Sequence, residues 1–105
     1  MKEIIKEVKG FEKSHLVSNL GYVISLPRND SDNKYGKRNE QRKLKTGLAR
    51  GYPRVTLAYK GKQKRIFVHR IVAEHFLVPI DGKPFINHID GNKLNPRQDN
   101  LEWCT

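Results

Sequence analysis

The chain has 105 residues, and its 21 lysines and arginines outnumber its 11 aspartates and glutamates, which gives a formal net charge of +10. Hydrophobic residues make up 36% of it; no apolar run reaches the roughly 20 residues of a membrane span, and the N-terminus lacks the apolar stretch of a signal peptide. We therefore expect an intracellular, non-secreted protein that forms one small domain or two very small ones. The single cysteine, Cys104, excludes an internal disulfide. An isoelectric point near 10.0 is typical of proteins that bind phosphate groups.

The first 28 residues contain short apolar groups separated by turn-forming residues. The apolar groups are residues 4–5, 16–17 and 22–24, and the breaks between them include Gly10 and Gly21. This pattern predicts short strands that are joined by tight turns.

From Pro27 to about Arg50 the chain is dense in polar and charged residues and has few apolar ones. We expect a loop that is mobile in the free protein, and we assign residues 29–51 to a basic linker. A solvated loop is one interpretation; an arm that becomes ordered on a nucleic-acid backbone is the other, and the charge density favours it. The candidate contacts in this cluster are Lys37, Arg38, Arg42, Lys43, Lys45 and Arg50.

Residues 52–77 have the pattern of a hairpin followed by a helix. Two runs rich in β-formers, 55–59 and 64–68, flank a turn that contains Gly61. We expect Val55, Leu57, Ile66 and Val68 to pack inward, whereas the candidate phosphate contacts are Lys60, Lys62, Lys64 and Arg65. Residues 69–77 carry apolar residues on one helical face, and Pro79 ends the helix.

Two histidines of this helix, His69 and His75, are six residues apart. Ligands on one helical face lie three or four residues apart, so a metal site shared by these two is not indicated. We interpret both as packing or hydrogen-bonding residues.

The most informative segment is 85–103, where an apolar strand ends at His88 and is followed by a loop rich in Asn, Asp and Gly and by a second short strand. A histidine that activates water needs a fixed ring, a cation near the scissile phosphate and polar side chains that brace the loop. Asp90 and Gly91 also form a good turn by themselves, whatever the function of the segment.

Residues 87–93, Asn-His-Ile-Asp-Gly-Asn-Lys, and 100–103, Asn-Leu-Glu-Trp, resemble the HNH endonuclease family, specifically its phage and intron homing branch. Residues 68–76 resemble the helix that precedes the nuclease motif in that branch. Residues 10–12 and 16–23 resemble the small DNA-binding module that is often found ahead of such nucleases. The resemblance covers most of the chain outside residues 29–50.

The resemblance implies a role for each motif residue. His88 would be the general base that deprotonates the attacking water, and Asn100 would be the middle N of the motif, hydrogen-bonding across the loop. Asn87 would offer its side-chain oxygen to a divalent metal ion, Mg²⁺ or Mn²⁺. The third letter of the motif lies in this family on a helix after the strand of Trp103, so the chain resembles a C-terminally truncated member.

The resemblance thus implies an α+β protein. We assign residues 1–28 to a small β-rich, nuclease-associated DNA-binding module and residues 52–105 to an HNH-like ββα-metal domain that lacks its final helix. The implied function is metal-dependent nicking or cleavage of double-stranded DNA, in the cytoplasm of a bacterial host if the protein is phage-encoded. No membrane partner and no small-molecule substrate are expected.

Two other functions stay open. The first is a catalytically inactive remnant or fragment that binds DNA through its cationic surface, and its metal independence would distinguish it from a nuclease. The second is binding of structured RNA, because attraction to phosphate does not depend on the sugar. The aromatic-rich signatures of common RNA-binding sheets are missing, which disfavours RNA.

Overall fold

The computed structural model describes residues 1–27 and 40–105. These residues form β1 (Ile5–Glu7), β2 (His15–Ser18), β3 (Tyr22–Ser25), β4 (Arg42–Lys43), β5 (Gly47–Ala49), β6 (Tyr52–Tyr59), β7 (Lys62–Phe67), α1 (Val68–Phe76), β8 (Phe85–His88), a short 3-10 helix (Gln98–Asn100) and β9 (Leu101–Cys104). The α+β class with a β-rich N-terminal part is confirmed. Within this described part of the chain, no helix is long and apolar enough to cross a membrane.

In the described residues, the strand pairs are all antiparallel and form three sheets of order β1-β2-β3-β4, β5-β6-β7 and β8-β9. The predicted hairpin is β6–β7, but its turn is shorter than expected. It consists of Lys60 and Gly61, with φ angles of 47° and 79°. Positive φ at both turn residues matches the right-handed twist of the two strands.

The expectation of a loop is wrong for two parts of the basic linker. Arg42–Lys43 is an edge strand on β3, and Gly47–Ala49 is an edge strand on β6. The apolar Leu44 lies between them: it packs against the core, and its backbone N–H donates to the Val23 carbonyl at 2.8 Å. Pairing with the edges of two sheets and the packing of one partly buried leucine account for the order of residues 42–49. The expected mobility of residues 28–39, which lie outside the described residues, and the boundaries assigned to the domains stay predictions.

One hydrophobic cluster joins the N-terminal strands to the second half of the chain. Strand β6 contributes Val55 and Leu57 on one face, as its alternating pattern predicts, and α1 contributes Val68, Ile71 and Val72. The helix ends at Phe76, before Pro79. The full cluster comprises Val8, Phe11, Val17, Val23, Val55, Leu57, Val68, Ile71, Val72 and Leu101.

A hydrogen-bond relay fixes the 3-10 helix to the rest of the fold. The carbonyl of the buried Asn19, in the β2–β3 turn, accepts from the backbone N–H of Gln98 at 2.8 Å, and its Nδ2 donates to Gln98 Oε1 at 3.2 Å. Gln98 Nε2 in turn donates to the Phe76 carbonyl at the end of α1, at 3.0 Å. The turn that carries Asn100 is therefore tied to the N-terminal sheet and to the helix.

Candidate active site

The register of the β8–β9 hairpin places two motif residues on opposite faces. Asn87 pairs with Glu102 and His88 pairs with Leu101. Because successive side chains of a strand point to opposite faces, Asn87 lies on the exposed face of the hairpin and His88 on the face that packs on the core.

The His88 ring is held among other aromatic rings and is only 7% exposed. The centroids of the Tyr52 and His69 rings lie 5.5 and 5.0 Å from its own. Its Nε2 is buried and has no hydrogen-bond partner among the described residues. Burial lowers the pKa of His88 below its ordinary value, and the carboxylate of Asp90 only partly opposes this effect. His88 is therefore neutral at pH 7, the protonation state that a general base requires.

His69 is the neighbour of His88 that the sequence did not reveal. Its ring stacks on Phe67 at 5.3 Å, contacts Tyr52 at 4.9 Å and meets His88 edge-on. Burial, with smaller contributions from His88 and Arg70, lowers the pKa of His69 to about 4. His69 thus packs, as expected, and its partner is the motif histidine itself. This contact depends on the direction of α1 and not on any spacing in the sequence.

His75 is a hydrogen-bonding residue, as expected. Its Nδ1 lies 2.7 Å from the Ile71 carbonyl, and its Nε2 accepts from the backbone N–H of Lys9 at 3.0 Å. The second bond requires a lone pair on Nε2, so the proton is on Nδ1. His75 therefore joins α1 to the N-terminal module.

Both the oxygen and the nitrogen of the Asn100 side-chain amide form hydrogen bonds with the loop between β8 and β9. Its Oδ1 accepts from the backbone N–H of Asp90 at 3.0 Å, and its Nδ2 donates to Asp90 Oδ1 at 2.8 Å and to the Asn95 carbonyl at 2.9 Å. Asp90 also accepts from the Asn95 side chain and from the Asn92 backbone N–H, and these hydrogen bonds, Asn95 first, lower its pKa. The ionised Asp90 is thus the centre around which the loop is ordered.

On the exposed face, the Asn87 side chain is paired with a carboxylate. Its Nδ2 donates to Glu102 Oε1 at 2.9 Å. Amide and carboxylate oxygens are the donor types that Mg²⁺ and Mn²⁺ prefer, so the chemistry of this pair fits such an ion. Among residues 1–27 and 40–105, no group of three or more His, Cys, Asp or Glu side chains is arranged to hold a metal ion. By itself the pair would supply only part of a coordination shell.

Several predicted DNA contacts meet at one cationic cavity of about 570 Å³. Arg54 and Arg65 reach it from the polar face of the β6–β7 hairpin, and residues of β4 and of the β4–β5 connection form the other wall. Arg54 was not among the sequence candidates, although its alternation with Val55 in β6 places it on this face. The lining residues are Arg42, Lys43, Leu44, Lys45, Gly47, Arg54, Thr56 and Arg65.

The other basic candidates that the structure describes do not line this cavity. Lys62 donates to the Gly10 carbonyl at 3.1 Å and lies over the Phe11 ring, so it packs the hairpin on the N-terminal module. Lys60 lies over the Tyr59 ring, and Lys64 is exposed on β7. Arg50 accepts through its carbonyl from Nζ of Lys93, at 3.4 Å. Lys37 and Arg38 lie outside the described residues.

Lys93, within the motif, is a cation that sequence reasoning gave no role. Its Nζ lies 4.9 Å from the centroid of the Tyr52 ring, which packs on His88. Lys93 therefore packs on the same ring that contacts the motif histidine.

The fold and the site define a small α+β protein with an HNH motif on a β-hairpin. The family model of the NUMOD4 motif matches residues 3–58, more than half of the chain, and that of the HNH endonuclease matches residues 67–105. The chain belongs to the NUMOD4 motif family, and its residues 67–105 match the HNH endonuclease family.

Among its relatives is DNA endonuclease I-HmuI of Bacillus phage SP01, which is 38% identical over 100 residues, covering 95% of this chain and 51% of that protein. A solved structure described as "DNA binding and cleavage by the HNH homing endonuclease I-HmuI" superimposes with a TM-score of 0.73, over 97% of this chain and 52% of the other. The SPbeta prophage-derived putative HNH homing endonuclease YosQ of Bacillus subtilis (strain 168) is 52% identical over 46 residues, which is 44% of this chain and 26% of YosQ. The chain spans about half the length, or less, of these relatives.

Proposed function

We propose that this chain acts as a metal-dependent HNH endonuclease that nicks or cleaves double-stranded DNA. The observation that carries the proposal is the state of His88, a neutral histidine fixed by neighbouring rings at the end of β8, beside a loop that Asn100 holds rigid. This is the arrangement that a general base needs, because a fixed ring avoids the cost of orienting the base in each turnover. The relation to I-HmuI supports DNA as the substrate.

In the proposed mechanism, His88 takes a proton from a water molecule that attacks the phosphorus in line. Because Nε2 of His88 is buried, we assign the proton transfer to Nδ1. Asn100 acts on the loop and not on the substrate: its hydrogen bonds to Asp90 keep the end of β8 in place. Asn87, with Glu102 beside it, would hold a Mg²⁺ or Mn²⁺ ion. When bound, that ion polarises the phosphate and stabilises the leaving 3′ oxygen.

We further propose that the cationic cavity lined by Arg42, Lys43, Lys45, Arg54 and Arg65 receives the DNA backbone. Clustered cations on one surface raise the local concentration of DNA and position it through its phosphates. Lys93 supplies a further cation over the Tyr52 ring, which packs on His88. If the protein is phage-encoded, its site of action would be the cytoplasm of a bacterial host, and its phage and prophage relatives support this.

The test is nicking of supercoiled plasmid by the 105-residue chain with Mg²⁺, with Mn²⁺ and with EDTA. We expect nicking to require the metal and to fall by at least about 100-fold in His88→Ala, since general-base catalysis contributes roughly 10² to 10⁴ in rate. DNA affinity should change little, because His88 is buried and not on the cationic surface. His75→Ala is the matched control and should retain nicking.

The competing hypothesis is a DNA-binding part without chemistry, and it makes the opposite prediction. Salt-sensitive DNA binding without metal-dependent nicking would favour it, as would nicking at the parent rate by His88→Ala. His88→Gln serves as a second variant, because a glutamine fills more of the buried site than alanine does and so separates the loss of the base from a loss of folding.

A further inference from the structure

Asn87 and Glu102 are held together across the β8–β9 hairpin by their side chains. They are directly opposite in the register, and Asn87 Nδ2 donates to Glu102 Oε1 at 2.9 Å. An asparagine amide has a donor side and an acceptor side, whereas an ionised carboxylate only accepts. The carboxylate therefore selects the NH₂ group, which fixes how the amide of Asn87 is turned.

The orientation of this amide matters because only its oxygen can bind a hard cation. An asparagine that is free to rotate about its last bond presents nitrogen and oxygen in turn. With Nδ2 engaged by Glu102, Oδ1 is the atom that stays available to a cation. Side chains that orient a metal ligand in this way commonly change metal affinity by roughly 10-fold to 100-fold when they are removed.

Charge gives Glu102 a second effect. A neutral amide attracts a divalent cation less than a carboxylate does, and Glu102 places a full negative charge within hydrogen-bond distance of Asn87. Asn87 and Glu102 together thus carry the same charge as a single aspartate would carry at position 87.

We infer that Glu102 is the positioning residue of Asn87: it holds the amide with Oδ1 available to a divalent cation and supplies the negative charge that the amide lacks. This inference rests on the proposed function. It gives a role to a residue that sequence reasoning named only as part of the motif.

The orientation is testable without metal or DNA, from the side-chain amide signals of Asn87 in ¹⁵N-labelled protein. We expect Glu102→Ala to shift both NH₂ protons, because their acceptor is removed. Glu102→Gln should shift them less, because the glutamine oxygen still accepts. Glu74→Ala, at another exposed glutamate, is the matched control and should leave them unchanged. Asn87 signals that are the same in Glu102→Ala and in the parent would overturn the inference, whether or not the protein cuts DNA.

The effect on the cation is measured by titrating the chain with Mn²⁺, with free Mn²⁺ followed by electron paramagnetic resonance. We expect Glu102→Ala to weaken binding about tenfold and Glu102→Gln to weaken it less. In an Asn87→Asp background the two oxygens are equivalent, so orientation no longer matters and the two Glu102 variants should weaken binding equally.

The outcomes separate this inference from the proposed function. Equal Mn²⁺ affinity of Glu102→Ala and Glu102→Gln in the Asn87 background would overturn the orienting role. Mn²⁺ binding and nicking by the parent chain with no dependence on Glu102 would overturn the inference and leave the proposed function intact. A parent chain that does not bind Mn²⁺ would overturn both.

Discussion

His69 and His88 show how burial sets the chemistry of single residues in this protein. Their rings meet edge-on at 5.0 Å, and both have a pKa below the ordinary value because burial penalises the charged imidazolium. For His88 this favours the basic form at neutral pH. For His69 the same effect has a consequence for stability, because protonation at acidic pH must compete with folding.

We expect the free energy of unfolding to depend on the protonation of His69. Its pKa is about 4 in the folded protein and has the ordinary value of 6.5 when exposed, so between these pH values the unfolded chain binds more protons. Neutral His69 therefore makes its full contribution to the free energy of unfolding above pH 6.5. This contribution is lost as the pH falls toward 4. Because the ring is only partly buried, we expect the loss to be on the order of 2 kcal/mol.

Urea denaturation of the parent chain and of His69→Phe, at about pH 7 and about pH 4.5, measures this loss. Phenylalanine can stack on Phe67 and does not titrate. The difference in stability between the two pH values should therefore be smaller in the variant by about 2 kcal/mol. Carboxylates that titrate in the same range contribute equally to both proteins and cancel. An equal acid loss in the parent and in His69→Phe would show that His69 is not the group responsible.

At the scale of elements, the loop that carries Asn100 is positioned by the turn between β2 and β3. Gly21 in that turn has a φ of +99°, and a Cβ added there would lie 3.0 Å from Pro96 Cγ and 3.1 Å from the Pro96 carbonyl carbon. Backbone atoms of residues 96 and 97 cannot move away without moving the 3-10 helix that follows. The turn therefore needs glycine for its backbone conformation and for its contact with the loop.

Gly21→Ala should consequently destabilise the protein by about 2 to 4 kcal/mol, as the sum of positive-φ strain and a close contact. Gly82→Ala is the matched control: Gly82 has a φ of +79°, but no other part of the described chain would lie within 4 Å of a Cβ added there. It should cost only the strain, about 1 kcal/mol. Urea denaturation gives both values, and equal losses in the two variants would contradict a contact between the turn and the loop.

The features of this arrangement that depend on residues close together in the sequence could be predicted. Those that depend on residues far apart in the sequence could not. The β6–β7 hairpin and α1 follow from local periodicity, and Val55 and Leu57 point inward as their alternation indicates. Strands β4 and β5 are too short for a periodic signal and exist because sheet edges are available to pair with them. The contacts of His69 with His88 and of Glu102 with Asn87 depend on how α1 is directed and on the register across the loop, and neither is a local property.

At the scale of the whole molecule, one core joins the NUMOD4 and HNH parts. Val17 and Val23 of the N-terminal sheet pack in the same cluster as Ile71 of α1 and Leu101 of β9. The hydrogen bonds from Asn19 to Gln98 and from Gln98 to the carbonyl of Phe76 connect the same two parts. Under the proposed function, a DNA contact made by one part would therefore be held in a fixed position relative to His88 in the other.

At a net charge of +10, the property of the whole molecule that is most directly measured is how its affinity for DNA would depend on salt. Each phosphate that a cation neutralises releases counterions, which steepens the fall of DNA affinity with salt. Arg54 and Arg65 line the cationic cavity, whereas Lys62 is engaged with Gly10. We expect Arg54→Ala and Arg65→Ala each to reduce the slope of log affinity against log salt by about one.

Binding of a DNA duplex, measured by fluorescence anisotropy in EDTA at several salt concentrations, gives these slopes without cleavage. Lys83→Ala removes an exposed cation from the loop before β8, outside the cavity, and is the matched control. If only the net charge mattered, all three variants would reduce the slope equally. A larger effect of Arg54 and Arg65 would instead locate the DNA backbone at the cavity, because only cations that touch phosphates release the ions bound there.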